Sequence, residues 1–431
     1  HYLGRGEFIS RLPAIVGFWG MCLCLFCYVR RRSDTAYGFI ALLLPLFTYT
    51  AWDSTWARGY GMLLGFSAAA LLSWQFATDN VKRSIALPAL AISLAGALSC
   101  HYYGLYSAGV IAFAELVRTW NRKRPDLPIF VAVVAGVSPL LAYLPLLGAV
   151  SEGTKTFWAK PMVRFLYESY ADLFGPAAMV LLLFLICALR MPKGEQSWTD
   201  IRLPAHEVVA CLLFAAMPLS VFVASQFVRI AFFSRYVQPV VIGFSIAIPM
   251  FLYRVGGRNL PFRRLAVSLT VWLCLVPWAL WHMLIFFILP TPWTMIQSEY
   301  HFPDKNLTVP IVIDDDDMYM KVFHYAPQDL RDHLFYLNDR ASSLKYLGTD
   351  TGEHSFVVAQ TFHDFHVVKY DDFVREHPVF LVSKPQPDGW ILQRLINDGA
   401  NIQLIDERKK LGVFVDDHMT FRVVVPAATK K

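Results

Sequence analysis

Charge is scarce in this sequence, and so are the signals of a disulfide or zinc framework. Lys, Arg, Asp and Glu make up 17% of the 431 residues, against about 25% in soluble domains. The shortage is uneven. Residues 1–298 hold 24 Lys/Arg and 12 Asp/Glu, whereas residues 299–431 hold 15 and 21. The first stretch is too poor in charge for a soluble globule. The second has the charge content of one and a net charge of −6. The seven cysteines all lie before residue 275, in or beside apolar runs, and no CxxC pair among them suggests zinc. There is no internal repeat, no low-complexity tract and no HExxH-type motif. A single soluble globule, a disordered chain and a fibrous protein are thereby excluded. The surplus of basic residues lies in short loops between apolar segments, so it does not point to nucleic acid.

What is present is a series of apolar runs. They fall near 14–29, 36–51, 60–77, 86–100, 104–117, 128–149, 176–189, 206–224, 237–253 and 265–289. Each approaches the length needed to cross a bilayer. Every second connector is basic: Arg30-Arg31-Arg32, Lys82-Arg83, Arg118 to Arg124, Arg190 to Arg202 and Arg254 to Arg264. The positive-inside rule puts these in the cytoplasm. Residues 1–13, the connectors at Asp53, His101, Lys155 and Arg229, and the acidic tail then lie outside. The fold class expected is an α-helical multi-pass membrane protein of about ten spans with a small C-terminal α/β domain outside. The expected domain boundaries are 1–298 and 299–431. The runs at 86–100 and 104–117 also allow one bent or re-entrant unit.

The tail alternates between strand and helix patterns. Val309–Ile313, Val379–Val382, Ile402–Ile405 and Phe421–Val425 read as strands. Trp390 to Ile396 reads as a helix, stopped by Asn397-Asp398-Gly399. Asp314 to Asp317 read as a solvated turn, with a hard cation as the alternative. His363 and His366 have the one metal-like spacing among the tail's eight histidines. Asn306-Leu307-Thr308 fits a glycosylation sequon.

Polar clusters on the outer side are the candidate chemistry. Asp53, Arg58 and Tyr60 open the third run. An arginine there suits a phosphate and a tyrosine hydroxyl adds a hydrogen bond. Interfacial anchoring is the other reading. His101, Tyr102 and Tyr103 form an aromatic break, suited to a ligand, a proton relay or a plain helix cap. The loop 151–174 mixes Lys155, Lys160 and Arg164 with aromatics, as an anion or sugar site would, or as a surface amphipathic helix would. Arg229, Arg235 and Tyr236 bring further cations to the same side. No cofactor is expected, and no metal is assigned.

Taken in order, these segments resemble a known family. Glu7-Phe8-Ile9-Ser10-Arg11-Leu12-Pro13 precedes a span. Ser54-Thr55-Trp56-Ala57-Arg58-Gly59-Tyr60, Cys100-His101-Tyr102-Tyr103 and Ser234-Arg235-Tyr236 with Pro239 follow. Together they are similar to the bacterial GT-C glycosyltransferases of the protein-mannosyltransferase and aminoarabinose-transferase type. The resemblance covers about residues 1–290. It implies a bacterial inner-membrane enzyme that moves a sugar, with inversion, from a polyprenyl-phosphate donor to a lipid, protein or glycan on the outer face. It implies donor-phosphate contacts at Arg58, Tyr60, Lys155, Arg235 and Tyr236, and cavity or acceptor contacts at Asp53, His101, Tyr102 and Tyr103. Two features depart from the family. Its catalytic carboxylate and the aromatic segment after it are absent, and are expected ahead of His1. Trp56 stands where the family has Glu. A transporter or flippase of lipid-linked glycans, and a receptor or scaffold, are the alternative classes.

Overall fold

The computed structural model describes residues 7–54, 56, 58–146, 161–171, 203–227, 232–257, 260–280, 283, 293, 296–297, 309–384, 389–408 and 418–426. The run at 176–189, Lys155, Arg229 and the sequon at Asn306 lie outside them. The chain divides into two compact units, His1–Ser151 with Ala159–Met283, and Glu152–Trp158 with Leu284–Lys431. Trp293 and Ile296, ahead of residue 299, pack in the apolar core of the second unit.

The first unit is helical. Its labelled helices are α1 (Glu7–Arg32), α2 (Thr35–Leu43), α3 (Tyr49–Asp53), α4 (Tyr60–Thr78), α5 (Arg83–Cys100), α6 (Gly104–Arg122), α7 (Leu127–Gly136) and α8 (Pro139–Tyr143). Helices at Ala205–Ala215, Met217–Phe227, Val240–Gly256 and Leu260–Thr270 follow. Among the described residues, four helices are long and apolar enough to cross a membrane: Phe8–Arg32, Tyr60–Thr78, Arg83–Cys100 and Pro261–Leu280. Thr35–Phe47, Leu127–Tyr143 and Val240–Gly256 are apolar but shorter.

α1 and α4 pack most closely. A Cβ on Gly61 would lie 2.1 Å from the Ala14 carbonyl oxygen, and one on Gly17 2.4 Å from that of Gly61. Small residues let the two backbones touch, as at other apolar helix contacts. The contact pairs 14 with 61 at one end, and Arg31 with Asp79 at the other, so the helices run parallel. α5 and α6 are two helices joined by a tight break. They reverse at His101–Tyr103, and Arg83 and Arg118 meet again on Asp126 at their far ends.

The run at 206–224 is not one straight span. Ala205–Ala215 and Met217–Phe227 meet at 66°. Pro218 lacks the amide hydrogen that an unbroken helix needs. Tyr106 Oη donates to the Leu213 carbonyl at 2.8 Å, and Tyr170 Oη to that of Ala215 at 3.1 Å. Neighbouring side chains thus serve carbonyls at the break, which hydrocarbon would leave bare.

Among the described residues, the second unit is a six-stranded sheet with helices on both faces. Its strands are β1 (Ile311–Ile313), β2 (Leu334–Asn338), β3 (Val367–Lys369), β4 (Val379–Lys384), β5 (Asn401–Arg408) and β6 (His418–Val424). Their order is β3-β2-β1-β4-β6-β5. β1 pairs parallel with β2 and β4, β2 parallel with β3, and β6 antiparallel with β4 and β5. Alternate residues serve two cores. Ile311 and Ile313 join Tyr319, Val322 and Phe356, whereas Val312 joins Phe373, Phe380 and Trp390. Burial on both faces explains why the central strands read as continuous apolar runs.

The four aspartates are not one solvated turn. The Asp314 side chain is buried and faces Lys384. Asp315 caps the helix Asp316–Tyr325, accepting from the Met318 amide at 2.7 Å, a favoured N-cap arrangement. His366 Nδ1 lies 3.1 Å from the Leu334 carbonyl, whereas His363 is exposed and stacks on Phe365.

Candidate functional site

The connectors of the first unit collect at two opposite ends of its helices, and the two ends differ in chemistry. At one end, several arginines of the described basic connectors are ion-paired. Arg31 and Arg32 bind Asp79, each at 2.8 Å, and Arg32 also grips the buried Glu207. Arg118 holds Glu115 at 2.7 Å and Asp126 at 3.1 Å, Arg83 joins Asp126, and Arg263 lies 3.3 Å from Asp34. Trp74 Nε1 donates to Glu115 at 3.0 Å. These charges staple α1, α4, α6 and the Ala205–Ala215 helix together and are committed to one another.

The opposite end gathers most of the residues that the sequence singled out. Tyr60 starts α4, His101–Tyr103 turns from α5 to α6, and Ser234–Tyr236 forms a short 3-10 turn before the Val240–Gly256 helix. The His101 ring stacks on Tyr102 at 4.5 Å. Its centroid lies 5.4 Å from Tyr103, 5.5 Å from Tyr236 and 5.6 Å from Tyr60. Tyr103 stacks on Tyr236 at 5.6 Å. One histidine is therefore packed among four tyrosines drawn from three connectors.

Two arginines flank this cluster. Arg58 lies over the Trp56 ring at 5.1 Å and Arg235 over Phe233 at 4.6 Å. Burial pushes the Tyr236 hydroxyl up, while the positive charges of Arg235 and Arg58 oppose the rise. Both guanidiniums therefore act on one hydroxyl. Among the described residues no carboxylate is ion-paired with either. Ring stacking fixes a guanidinium through its face and leaves its N–H edge for an anion. Trp56 thus supplies a cation–π support to Arg58 where the resembled family has an acid.

Asp53 joins the same end differently. It ends α3 and accepts from Nε2 of Gln238, which is almost fully buried. Gln238 is a residue that sequence reading missed. Its signal was an amide two residues after Tyr236, at the mouth of an apolar run.

His101 is held neutral. Its Nδ1 accepts from the Tyr103 amide at 3.2 Å, which places the ring hydrogen on Nε2. Burial pushes its pKa down to about 4, against about 6.5 for free histidine. Between those values the unfolded chain binds a proton that the folded chain refuses. Stability should therefore fall as pH drops from about 6.5 towards 4. The unfolding midpoint of His101→Gln should show a flatter slope over that window than the native protein. Equal slopes would remove the claim.

Lys155 lies outside the described residues. Among those described, no three His, Cys, Asp or Glu residues converge as a metal site would require. The arrangement offers two arginine N–H edges, tyrosine hydroxyls and a neutral imidazole. An apolar cluster of Tyr103, Met217, Val221, Phe232 and Val237 adjoins it.

Neither a protein-family model nor a curated protein matches the sequence. Two solved structures do match in shape, both of ArnT from Cupriavidus metallidurans. The apo-state structure aligns with a TM-score of 0.51 at 13% identity, over 96% of this chain and 83% of that one. The structure bound to undecaprenyl phosphate aligns at 0.49 and 14%, over 96% and 84%. At such identity the likeness is one of shape: this chain has the fold of the apo-state ArnT structure.

Proposed function

We propose that the protein is a membrane glycosyltransferase that takes a sugar from a polyprenyl-phosphate donor and passes it to an acceptor on the outer face of a bacterial inner membrane. The observation that carries this is the contrast between the two helix ends. Arg31, Arg32, Arg83, Arg118 and Arg263 at one end are bound to carboxylates, whereas Arg58 and Arg235, with no carboxylate ion-paired to them among the described residues, are braced on aromatic rings around a cluster of tyrosines. A departing phosphate gains negative charge as the sugar leaves, and fixed cations stabilise that charge. Arg58 and Arg235 take this role, with Tyr60, Tyr236 and Lys155 as further donor-phosphate contacts. Asp53, His101, Tyr102 and Tyr103 line the cavity on the acceptor side. The apolar cluster beside them suits a prenyl chain. The general base is assigned to none of these residues.

In this proposal the chain crosses the membrane ten times, the shorter apolar helices included, and the α/β unit lies outside with both chain ends. The alternation of basic connectors supports that orientation. A cysteine placed at Gly348 should react with an impermeant reagent added from outside, and one at Gly194 should not. The reverse pattern would put the arginine pair on the cytoplasmic face.

One observation favours a transporter instead, the 66° bend between Ala205–Ala215 and Met217–Phe227. Broken helices line the substrate sites of many transporters. Transfer of a labelled sugar from a prenyl-phosphate donor separates the two. A transporter moves the lipid-linked sugar across the bilayer and leaves its bond to phosphate intact.

A further inference from the structure

Arg58 and Arg235 have a carboxylate close by that does not pair with them. Asp53 ends α3, and the backbone turns back on itself directly after it. The Trp56 amide donates to the Asp53 carbonyl at 3.2 Å, and the Arg58 amide to the Trp56 carbonyl at 2.7 Å. Asp53 and Arg58 therefore leave adjoining turns. Arg235 arrives from the other connector. Gln238 follows it by three residues, across a turn closed by the Val237 amide and the Ser234 carbonyl at 3.2 Å, and Gln238 Nε2 donates to the Asp53 carboxylate. The charges of Asp53, Arg58 and Arg235 all act on the Tyr60 hydroxyl, so the three groups share one neighbourhood.

A carboxylate and a guanidinium readily form a paired, two-bond contact. Such a pair would put Asp53 where a phosphate would sit, and the phosphate would bind only by displacing it. Asp53 instead accepts from an amide, and the arginines rest on Trp56 and Phe233. The two partners differ in freedom. Gln238 is 1% exposed, between Val237 and Pro239, with Val240 and Val241 also fully buried. Packing therefore fixes the amide. The Asp53 side chain is only half-buried, so packing alone does not fix its direction. A neutral amide also holds the carboxylate without attracting the phosphate, as a lysine or arginine in its place would.

We propose that Gln238 is a positioning residue whose amide keeps the Asp53 carboxylate off Arg58 and Arg235, so that both guanidiniums stay open to an anionic ligand. The identity of that ligand as a prenyl phosphate rests on the transferase proposal.

Prenyl phosphate and the corresponding prenyl alcohol, titrated into the intact protein in lipid nanodiscs, test this. Gln238→Met removes the amide at similar volume. It should bind the phosphate about tenfold more weakly, a change of about 1.4 kcal/mol, with its affinity for the alcohol unchanged. Asp53→Asn added to that variant removes the competing charge and should restore most of the loss. A glutamine with a merely structural role predicts the opposite: alcohol binding suffers too, and the second substitution restores nothing. If Gln238→Met does not fold, Asp53→Glu and Asp53→Gln decide. Their side chains are equally long, and only the glutamate, which overreaches the amide, pairs with an arginine. Asp53→Glu should then bind the phosphate about tenfold more weakly than Asp53→Gln, and equal affinities would overturn the restraint. So would a Gln238→Met variant that stays weak after Asp53→Asn is added. A native protein with no preference for the phosphate over the alcohol sinks the transferase reading and this one with it. A native preference that Gln238→Met retains sinks only the role of Gln238.

Discussion

Removing either arginine should weaken binding of a prenyl-phosphate donor by about 1.5–3 kcal/mol, the worth of a hydrogen bond to a charged group. That is roughly 10- to 150-fold in affinity. Arg58→Ala and Arg235→Ala both remove a guanidinium that rests on a ring rather than on a carboxylate, so neither uncovers a buried acid. Folding should therefore survive while donor affinity falls. Arg58→Lys should recover only part of the loss, because an ammonium lacks the planar fork that matches phosphate. Titration of a fluorescent prenyl-phosphate analogue into detergent-solubilised protein measures this. Unchanged affinity in both alanine variants would take the phosphate away from this end of the helices.

The second large effect lies at the other end. Glu207 is almost fully buried and grips Arg32, while Gln75 Nε2 donates to it at 3.4 Å. Breaking a buried ion pair by deleting one partner costs about 3–5 kcal/mol, because the remaining charge is left without compensation. Arg32 keeps Asp79, so Glu207→Ala should fall towards the lower figure. Glu207→Gln retains an acceptor and should cost less. Unfolding midpoints in micelles are the readout. An alanine variant as stable as the native protein would mean that the ion pairs do not hold these helices together. Donor affinity, by contrast, should be unchanged in the variants that fold.

The sequence made the alternation of connectors legible because charge is costly inside a bilayer and the positive residues concentrate on one side. The cluster of Tyr60, His101, Tyr102, Tyr103 and Tyr236 was legible through the resemblance, which put three distant connectors at one end. The bend at Ala216 was not, since Pro218 sits inside a run whose composition is uniform. Strands β1, β4, β5 and β6 announced themselves by apolar stretches between turn residues. β2 and β3 did not. β3 is three residues long, and β2 follows a short helix, Gln328–Arg331, with only Asp332 and His333 between. Gln238 was hidden because its role depends on Asp53, 185 residues away. The burial of Asp314 was hidden for a like reason, since Lys384 reaches it only through the pairing of β1 with β4.

The most direct measurement compares a prenyl phosphate with the corresponding prenyl alcohol on the intact protein in lipid nanodiscs. Both present the same hydrocarbon to the apolar cluster, and only one presents an anion to Arg58 and Arg235. The phosphate should bind at least about tenfold more tightly, and that preference should vanish in the Arg58→Ala/Arg235→Ala double variant. Equal binding of the two lipids, or a phosphate preference that survives in the double variant, would contradict a donor-phosphate site here.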